Sequence, residues 1–339
     1  MRILHVAHQQ IRKYGRTRVS WAQKLYCGLI KNNHNVQSFS DRDIASFEAP
    51  FGFRELGKKA MNRRLLETAE AFVPDLVIIG HCDHVSNHTL TELRMLVPGV
   101  VIAACNNDPL FVPENRQKIL HRCEAVDAHF VSTGQKELSC FENINARMYH
   151  MPNPVDPAIE VFNVSEQDDF THDLLFCSKS DAHSERQVTV DFLRRELPAS
   201  IRFHTPGNHG VPGVWGREYD LTLSKSKMGL NLNRQEIHEW YSSARMAQMA
   251  GNGLLVFTHA KAGFDRLLPK ESLVYFSDAP ELSELVIEFH NDDEKRKAWA
   301  ANSYQFFHRE MNNTLFAQYI VEQSLELPFS HPYAWHLDD

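Results

Sequence analysis

The chain has no apolar run near the roughly 20 residues that cross a bilayer, so no helical membrane span is expected. Its 6 cysteines are scattered at positions 27, 82, 105, 123, 140 and 177 without a C-x-x-C pair. They read as reduced thiols of a cytoplasmic protein, not as a disulfide framework. Basic residues are in deficit: 36 Lys and Arg face 43 Asp and Glu, a net charge of -7. That argues against a nucleic-acid partner, which needs a broadly basic surface. There is no G-x-G-x-x-G, so no nicotinamide cofactor site is read. Internal repeats of short period and low-complexity tracts are missing as well. The opening Met1-Arg2-Ile3-Leu4-His5-Val6 is too short for a signal peptide and reads as a first strand.

What is present is alternation. At 339 residues with 43% apolar content, two domains with sizeable cores are the natural expectation. Short apolar runs at 3–6, 36–39, 76–79, 100–104, 129–131 and 148–151 read as strands. Helical patterns lie between them near 17–32, 57–72, 88–96, 113–123 and 134–143. The rhythm breaks at Met151-Pro152-Asn153-Pro154-Val155-Asp156-Pro157, whose prolines predict a linker or hinge, and the polar segment 165–172 extends the break. It then resumes, with strands near 174–177, 201–204, 229–232, 254–257 and 273–275 and helices near 184–197, 242–250 and 280–290. The stretch 292–326 is mostly helical. The expected fold class is α/β, with two doubly wound domains at 1–152 and 153–339, the last helices packing back on the first. Ligands of such sheets bind at the carboxyl ends of strands, here the cleft between domains.

The most informative stretch runs from Ser242 to Thr258. It predicts a short helix that stops at Gly251-Asn252-Gly253 and passes at once into a buried strand. Arg245 and Gln248 are three apart and share a face, while Met246, Met249 and Ala250 mark the packed side. The two glycines are read as the helix stop and a close helix-to-strand approach. A helix N-terminus beside an open sheet is a ready phosphate site.

Three pieces carry a family resemblance. Met151-Pro152-Asn153-Pro154-Val155-Asp156 looks like the interdomain motif of family-4-type glycosyltransferases. Arg245 to Gly253 resembles the R-x-x-E-x-x-A-x-G element of CgeB-like proteins. Val274-Tyr275-Phe276-Ser277-Asp278 with Glu281-Leu282 resembles the element that follows it there. In the first domain, 81–96 and Asn106-Asn107-Asp108-Pro109-Leu110 look like the patterns after two strands of the same branch. The ordered set resembles the GT-B glycosyltransferases of the "glycosyl transferases group 1" and CgeB-like (spore-maturation-protein-like) branch, over most of the chain. The resemblance implies two Rossmann-like domains facing a cleft. It also implies a nucleotide-sugar donor on the second domain, no cofactor, no metal and a retaining outcome. One departure stands out. The family's two glutamates, eight apart, would fall on Trp240 and Gln248, with Glu239 beside the first. Gln248 can accept a hydrogen bond from a ribose hydroxyl but carries no charge.

Sugar transfer needs the diphosphate neutralised, a group able to take the acceptor proton, and polar groups near the oxocarbenium-like transition state. The donor-binding candidates are Lys179, Arg234, Arg245, Gln248 and Lys261. Lys179 and Arg234 follow strands of the second domain, and each also reads as a solvated loop charge. Arg245 also reads as an exposed helix charge or a partner of Glu239. The loop after the first strand holds Arg12, Lys13, Gly15, Arg16 and Arg18. It suits an anionic acceptor, or is a solvated charged turn. His81 and Asp108 follow first-domain strands and are the acceptor-side, catalytic candidates; Asp108 before Pro109 also reads as a turn residue. His81, His84 and His88 have helical spacing for zinc, but 80–86 reads as a loop and no fourth ligand is evident. Asp41-Arg42-Asp43 has the letters of a metal-holding carboxylate pair but follows a first-domain strand, away from the donor.

The leading expectation is a cytoplasmic glycosyltransferase building a cell-surface glycan such as lipopolysaccharide core, capsule or a glycolipid head group. Peripheral contact with the inner face of the membrane accompanies it. The competing classes are a nucleotide-sugar epimerase or hydrolase of the same fold, and a non-catalytic sugar-nucleotide-binding protein.

Overall fold

The computed structural model describes residues 1–11, 20–141, 144–179, 184–233, 238–241 and 243–336. The chain divides into two units, Met1–Met151 with the described residues from Asn313 onward, and Pro152–Asn312.

In the first unit the apolar runs become six parallel strands: β1 (Arg2–Val6), β2 (Asn35–Phe39), β3 (Leu76–Ile79), β4 (Val101–Asn106), β5 (Ala128–Val131) and β6 (Arg147–His150). Their order in the sheet is β2-β1-β3-β4-β5-β6. All four residues of β3 are buried, as a strand covered on both faces requires. The helices are α1 (Trp21–Lys31), α2 (Asp41–Glu48), α3 (Arg54–Phe72), α4 (Asn87–Leu96) and α5 (Pro113–Cys123). Ser20 and Ser86 cap α1 and α4 by accepting the amide hydrogens of Gln23 and Thr89. Register matters most here. Val6 stands opposite both Phe39 and Ile79, and Ile79 opposite Ala104. The segments after β2, β3 and β4 therefore leave the sheet at one edge.

The second unit holds β7 (His172–Leu175), β8 (Phe203–His204), β9 (Ser226–Asn231), β10 (Leu255–His259) and β11 (Leu273–Phe276), parallel and ordered β11-β10-β9-β7-β8. Its helices are α6 (Glu185–Glu196), α7 (Arg217–Ser224), α8 (Ala244–Gly251), α9 (Ala279–Asn291) and α10 (Asp293–Glu310). Leu174, Leu230, Leu255, Phe257, Val274 and Phe289 lie at the centre of its core. The last helix, α11 (Asn313–Leu325), belongs to the first unit and lies on α1. Gly28 allows this, because a Cβ there would lie 2.0 Å from the carbonyl oxygen of Asn313.

Several elements differ from the sequence expectation. α2 and α7 are short helices that the pattern did not reveal. The 134–143 pattern forms a 3-10 helix over Gln135–Phe141, and residues 142–143 lie outside the described set. The segment 151–157 holds the boundary between the units, at Met151 and Pro152, and is packed rather than loose: Met151, Val155 and Asp156 are buried. Val155 donates its amide to the Met311 carbonyl (3.0 Å), and the Asp156 amide donates to the Glu160 carboxylate (2.7 Å). The glycines also divide their roles differently. Gly253 turns the chain with φ +80, while a Cβ on Gly251 would press on Val155 at 2.6 Å. The close helix-to-strand approach is made by Gly229 of β9, where a Cβ would meet the Met249 sulfur at 2.3 Å.

Candidate functional site

In the second unit, the candidates gather where the strands end. Arg245 lies in the first turn of α8, half-buried. Its guanidinium stands 5.0 Å from the Phe176 ring, just past β7, and donates to the Leu232 carbonyl (3.4 Å), just past β9. It thus spans the carboxyl ends of two adjacent strands. The N-cap of α8 is Ser243, which makes no side-chain cap, and its buried hydroxyl has no partner among the described residues. The Met246 amide of the first turn donates to the Ser243 carbonyl (3.2 Å). Nearby, burial pushes the Cys177 thiol up to about 12 against the opposing pull of Arg245, so this sulfur is an apolar wall and not a nucleophile.

Lys179 follows β7 and is exposed; its carbonyl accepts from Arg186 (3.0 Å). The loop after β8 presses on this turn through Gly207, whose φ is +82 and where a Cβ would lie 2.8 Å from the Ser178 carbonyl oxygen. A surface pocket of about 520 Å³ opens beside that loop, with Gln187, Asp191, Asn208 and His209 among its lining. Lys261 is exposed in the 3-10 turn after β10, where its amide donates to His259 Nδ1 (3.1 Å). Gln248 points to α7: its Oε1 accepts from the Tyr219 hydroxyl (3.3 Å). At Trp240 and Glu239 the structure shows a bracing role. Trp240 Nε1 donates to the Gly263 carbonyl (2.9 Å), and Glu239 pairs with Arg266. Arg234 lies outside the described residues.

Sequence reasoning missed a buried polar pair at the same edge. Asn231, the last residue of β9, donates to the Thr258 hydroxyl of β10 (3.0 Å), and its own carbonyl oxygen is buried without a partner among the described residues. Both were legible only as strand residues.

The first unit brings its two catalytic candidates together. His81, after β3, places Nδ1 3.5 Å from Asp108, after β4. Its Nε2 lies 3.8 Å from Asp83, which pairs with Arg42 of α2 at 3.1 Å. The Asp108 amide donates to the Asn106 side chain (2.8 Å), fixing the turn. An imidazole flanked by carboxylates can accept a hydroxyl proton and pass it on. Arg42 was not foreseen, although it follows a strand end like the others. Asp43 is an anchor: its carboxylate accepts from the Ile11 amide (3.1 Å) and the Ser40 hydroxyl (2.5 Å), and lies 3.7 Å from His8. Arg12, Lys13, Gly15, Arg16 and Arg18 lie outside the described residues. Among the described residues no three His, Cys, Asp or Glu side chains group to hold a metal ion.

Comparison with known proteins supplies the context. Residues 186–322 match the family described as glycosyl transferase-like. That region carries Arg245, Gln248 and Lys261. The fold of the whole chain is GT-B. It is shared with Anabaena HepE, solved in complex with UDP and glucose, at TM-score 0.63 and 12% identity over 96% of this chain and 100% of that one. Sucrose-phosphate synthase from Thermosynechococcus elongatus superposes at TM-score 0.64 with 11% identity over 96% and 99%. A UDP-forming α,α-trehalose-phosphate synthase from Burkholderia xenovorans does so at 0.57 with 13% identity over 97% and 99%. HepE has also been solved with UDP-glucose. No curated protein sequence matches the chain.

Proposed function

We propose that the protein is a glycosyltransferase that takes a sugar from a nucleotide-sugar held by the second unit and passes it to an anionic glycan or glycolipid handled by the first. The acceptor class is a cell-surface glycan such as lipopolysaccharide core or capsule, reached at the inner face of the membrane. One observation carries the reading: Arg245 spans the ends of β7 and β9 at the N-terminus of α8, inside the region that matches the glycosyl transferase-like family. A guanidinium at a helix N-terminus is matched to a diphosphate leaving group. Lys179 and Lys261 add charge from neighbouring strand ends, and Arg234 does so by sequence position. With the diphosphate met by cations, transfer proceeds without a metal and with no cofactor beyond the donor. His81, held by Asp108 and Asp83, takes the acceptor proton. The retaining outcome and the CgeB-like branch rest on the sequence motifs.

The experiment is a panel of nucleoside diphosphates and their sugars. One diphosphate should raise the unfolding temperature by a few degrees at about 100 times its Kd. The matching sugar donor should be hydrolysed slowly in water and faster with an acceptor. Interconversion of the donor would make the protein an epimerase. Binding with no turnover against any acceptor would make it a sugar-nucleotide-binding protein.

A further inference from the structure

The turn that joins α2 to α3 carries apolar side chains where solvent lies. Phe47 near the end of α2, Phe51 in the 3-10 turn Pro50–Gly52, Phe53, and Leu56 in the first turn of α3 are all exposed, Phe51 by 98%. Single exposed apolar residues are ordinary, but four large ones within ten residues are not. Phe51 also adopts a left-handed backbone (φ 55, ψ 15), which a bulky residue rarely does. A ring so exposed gains no internal packing in return. Beneath the turn the two helices are in tight contact: a Cβ on Gly57 of α3 would lie 1.9 Å from the Ala45 carbonyl oxygen of α2. The rings stand on a rigid base.

The charge around them is opposite to that of the chain. Residues 47–64 hold five basic side chains (54, 58, 59, 63, 64) against Glu48 and Glu55, a local balance of +3 in a chain of -7. Lys58, Arg63 and Arg64 are paired with Glu55, Glu67 and Glu48 (2.6, 3.5 and 2.5 Å). Arg54 and Lys59 have no carboxylate partner among the described residues, and Lys59 and Arg63 share the helix face of Leu56 by their spacing of three and four.

We propose that the turn 47–56 docks on an anionic lipid bilayer. The phenylalanines enter the interfacial layer, and Arg54 and Lys59 meet the phosphate-bearing headgroups. A second copy of the chain fits less well, because it would bring the same positive patch against itself. The proposal is independent of the donor site and of the chemistry assigned to it.

The test is sedimentation of the full chain with vesicles of phosphatidylcholine alone or with added phosphatidylglycerol. The protein should pellet with the anionic vesicles, and high salt should release it. Phe51→Ser with Phe53→Ser, and separately Arg54→Glu with Lys59→Glu, should each weaken the partition by at least about tenfold. All four side chains are exposed, so thermal unfolding should not move. As a second probe, Phe51→Trp should give a blue-shifted emission with anionic vesicles. A protein that stays in the supernatant, equal binding to neutral vesicles, variants that bind like the parent, or an unshifted Trp emission would each overturn the proposal. So would a concentration-dependent dimer abolished by the double phenylalanine change, which would make a second copy the occupant.

Discussion

Replacing Arg245 by alanine tests the donor site most directly. The side chain donates a long hydrogen bond to the Leu232 carbonyl at 3.4 Å and stacks over Phe176 at 5.0 Å. Loss of a partly exposed cation–aromatic contact costs on the order of 0.5–1 kcal/mol, so the variant should fold with a slightly lower unfolding temperature. Its effect on a diphosphate should be larger. A charge-assisted hydrogen bond in this half-buried setting is worth about 1.5–3 kcal/mol, or roughly 10- to 150-fold in Kd. Titration calorimetry with the nucleoside diphosphate that stabilises the parent protein reads this difference. Arg245→Lys should recover part of it, since a lysine keeps the charge and loses the fork. Unchanged affinity in the alanine variant, with the fold intact by circular dichroism, would refute the placement of the diphosphate at α8.

Acid should destabilise the first unit. Burial lowers His5 from 6.5 to about 4 and His129 from 6.5 to about 3, so both are neutral in the fold and take up a proton on unfolding. Their stabilisation is complete above pH 6.5 and is lost as pH falls below it, on the order of 3 kcal/mol or more for each by pH 3; denaturant melts at pH 7, 5 and 4 will show it, and a midpoint that does not fall contradicts it. Gly57→Ala should cost roughly 2–4 kcal/mol, because its Cβ would sit 1.9 Å from a backbone oxygen and α2 must move from α3; a melting temperature like that of the parent would show the helices less tightly packed than described. His81→Ala and Asp108→Asn should slow transfer about 100-fold or more while donor hydrolysis is spared; equal loss of both reactions would remove these residues from the acceptor side. Activity should persist in EDTA, and loss that manganese restores would refute a metal-free diphosphate site.

The central strands were legible in the sequence because they are buried on both faces. Leu76–Ile79 is an unbroken apolar run that needs no partner to be recognised. The short helices were not. α2 has eight residues and opens Asp41-Arg42-Asp43, which locally reads as a charged turn. Asp43 is bonded by the Ile11 amide of the chain after β1, and Asp41 is buried near Asp83 and His84 of the segment after β3. The prolines at 152, 154 and 157 lie where the two units divide. Local sequence shows that they break a helix, and only the distant Met311 carbonyl shows that the segment is buried.

The same limit applies to the site. The rule that ligands meet parallel sheets at their carboxyl ends selects Lys179, His81 and Asp108 one by one, and the helix motif selects Arg245. What makes them chemically distinct is whom they face. Arg42 reaches Asp83 across 41 positions, and Gln248 reaches Tyr219 across 29. The register that brings these ends together is set by whole strands, Val6 opposite Phe39 and Ile79, or Asn231 opposite Thr258. A pattern read along the chain carries no trace of that alignment. The Gln248 contact shows the consequence. By type alone the amide was a hydrogen-bond acceptor for a ribose, yet its oxygen already accepts from Tyr219. Gln248 can still bind donor through its amide hydrogens or the second lone pair of that oxygen, or after the bond opens. Tyr219→Phe separates the last case from the others: it should raise nucleotide affinity only there and leave it unchanged otherwise.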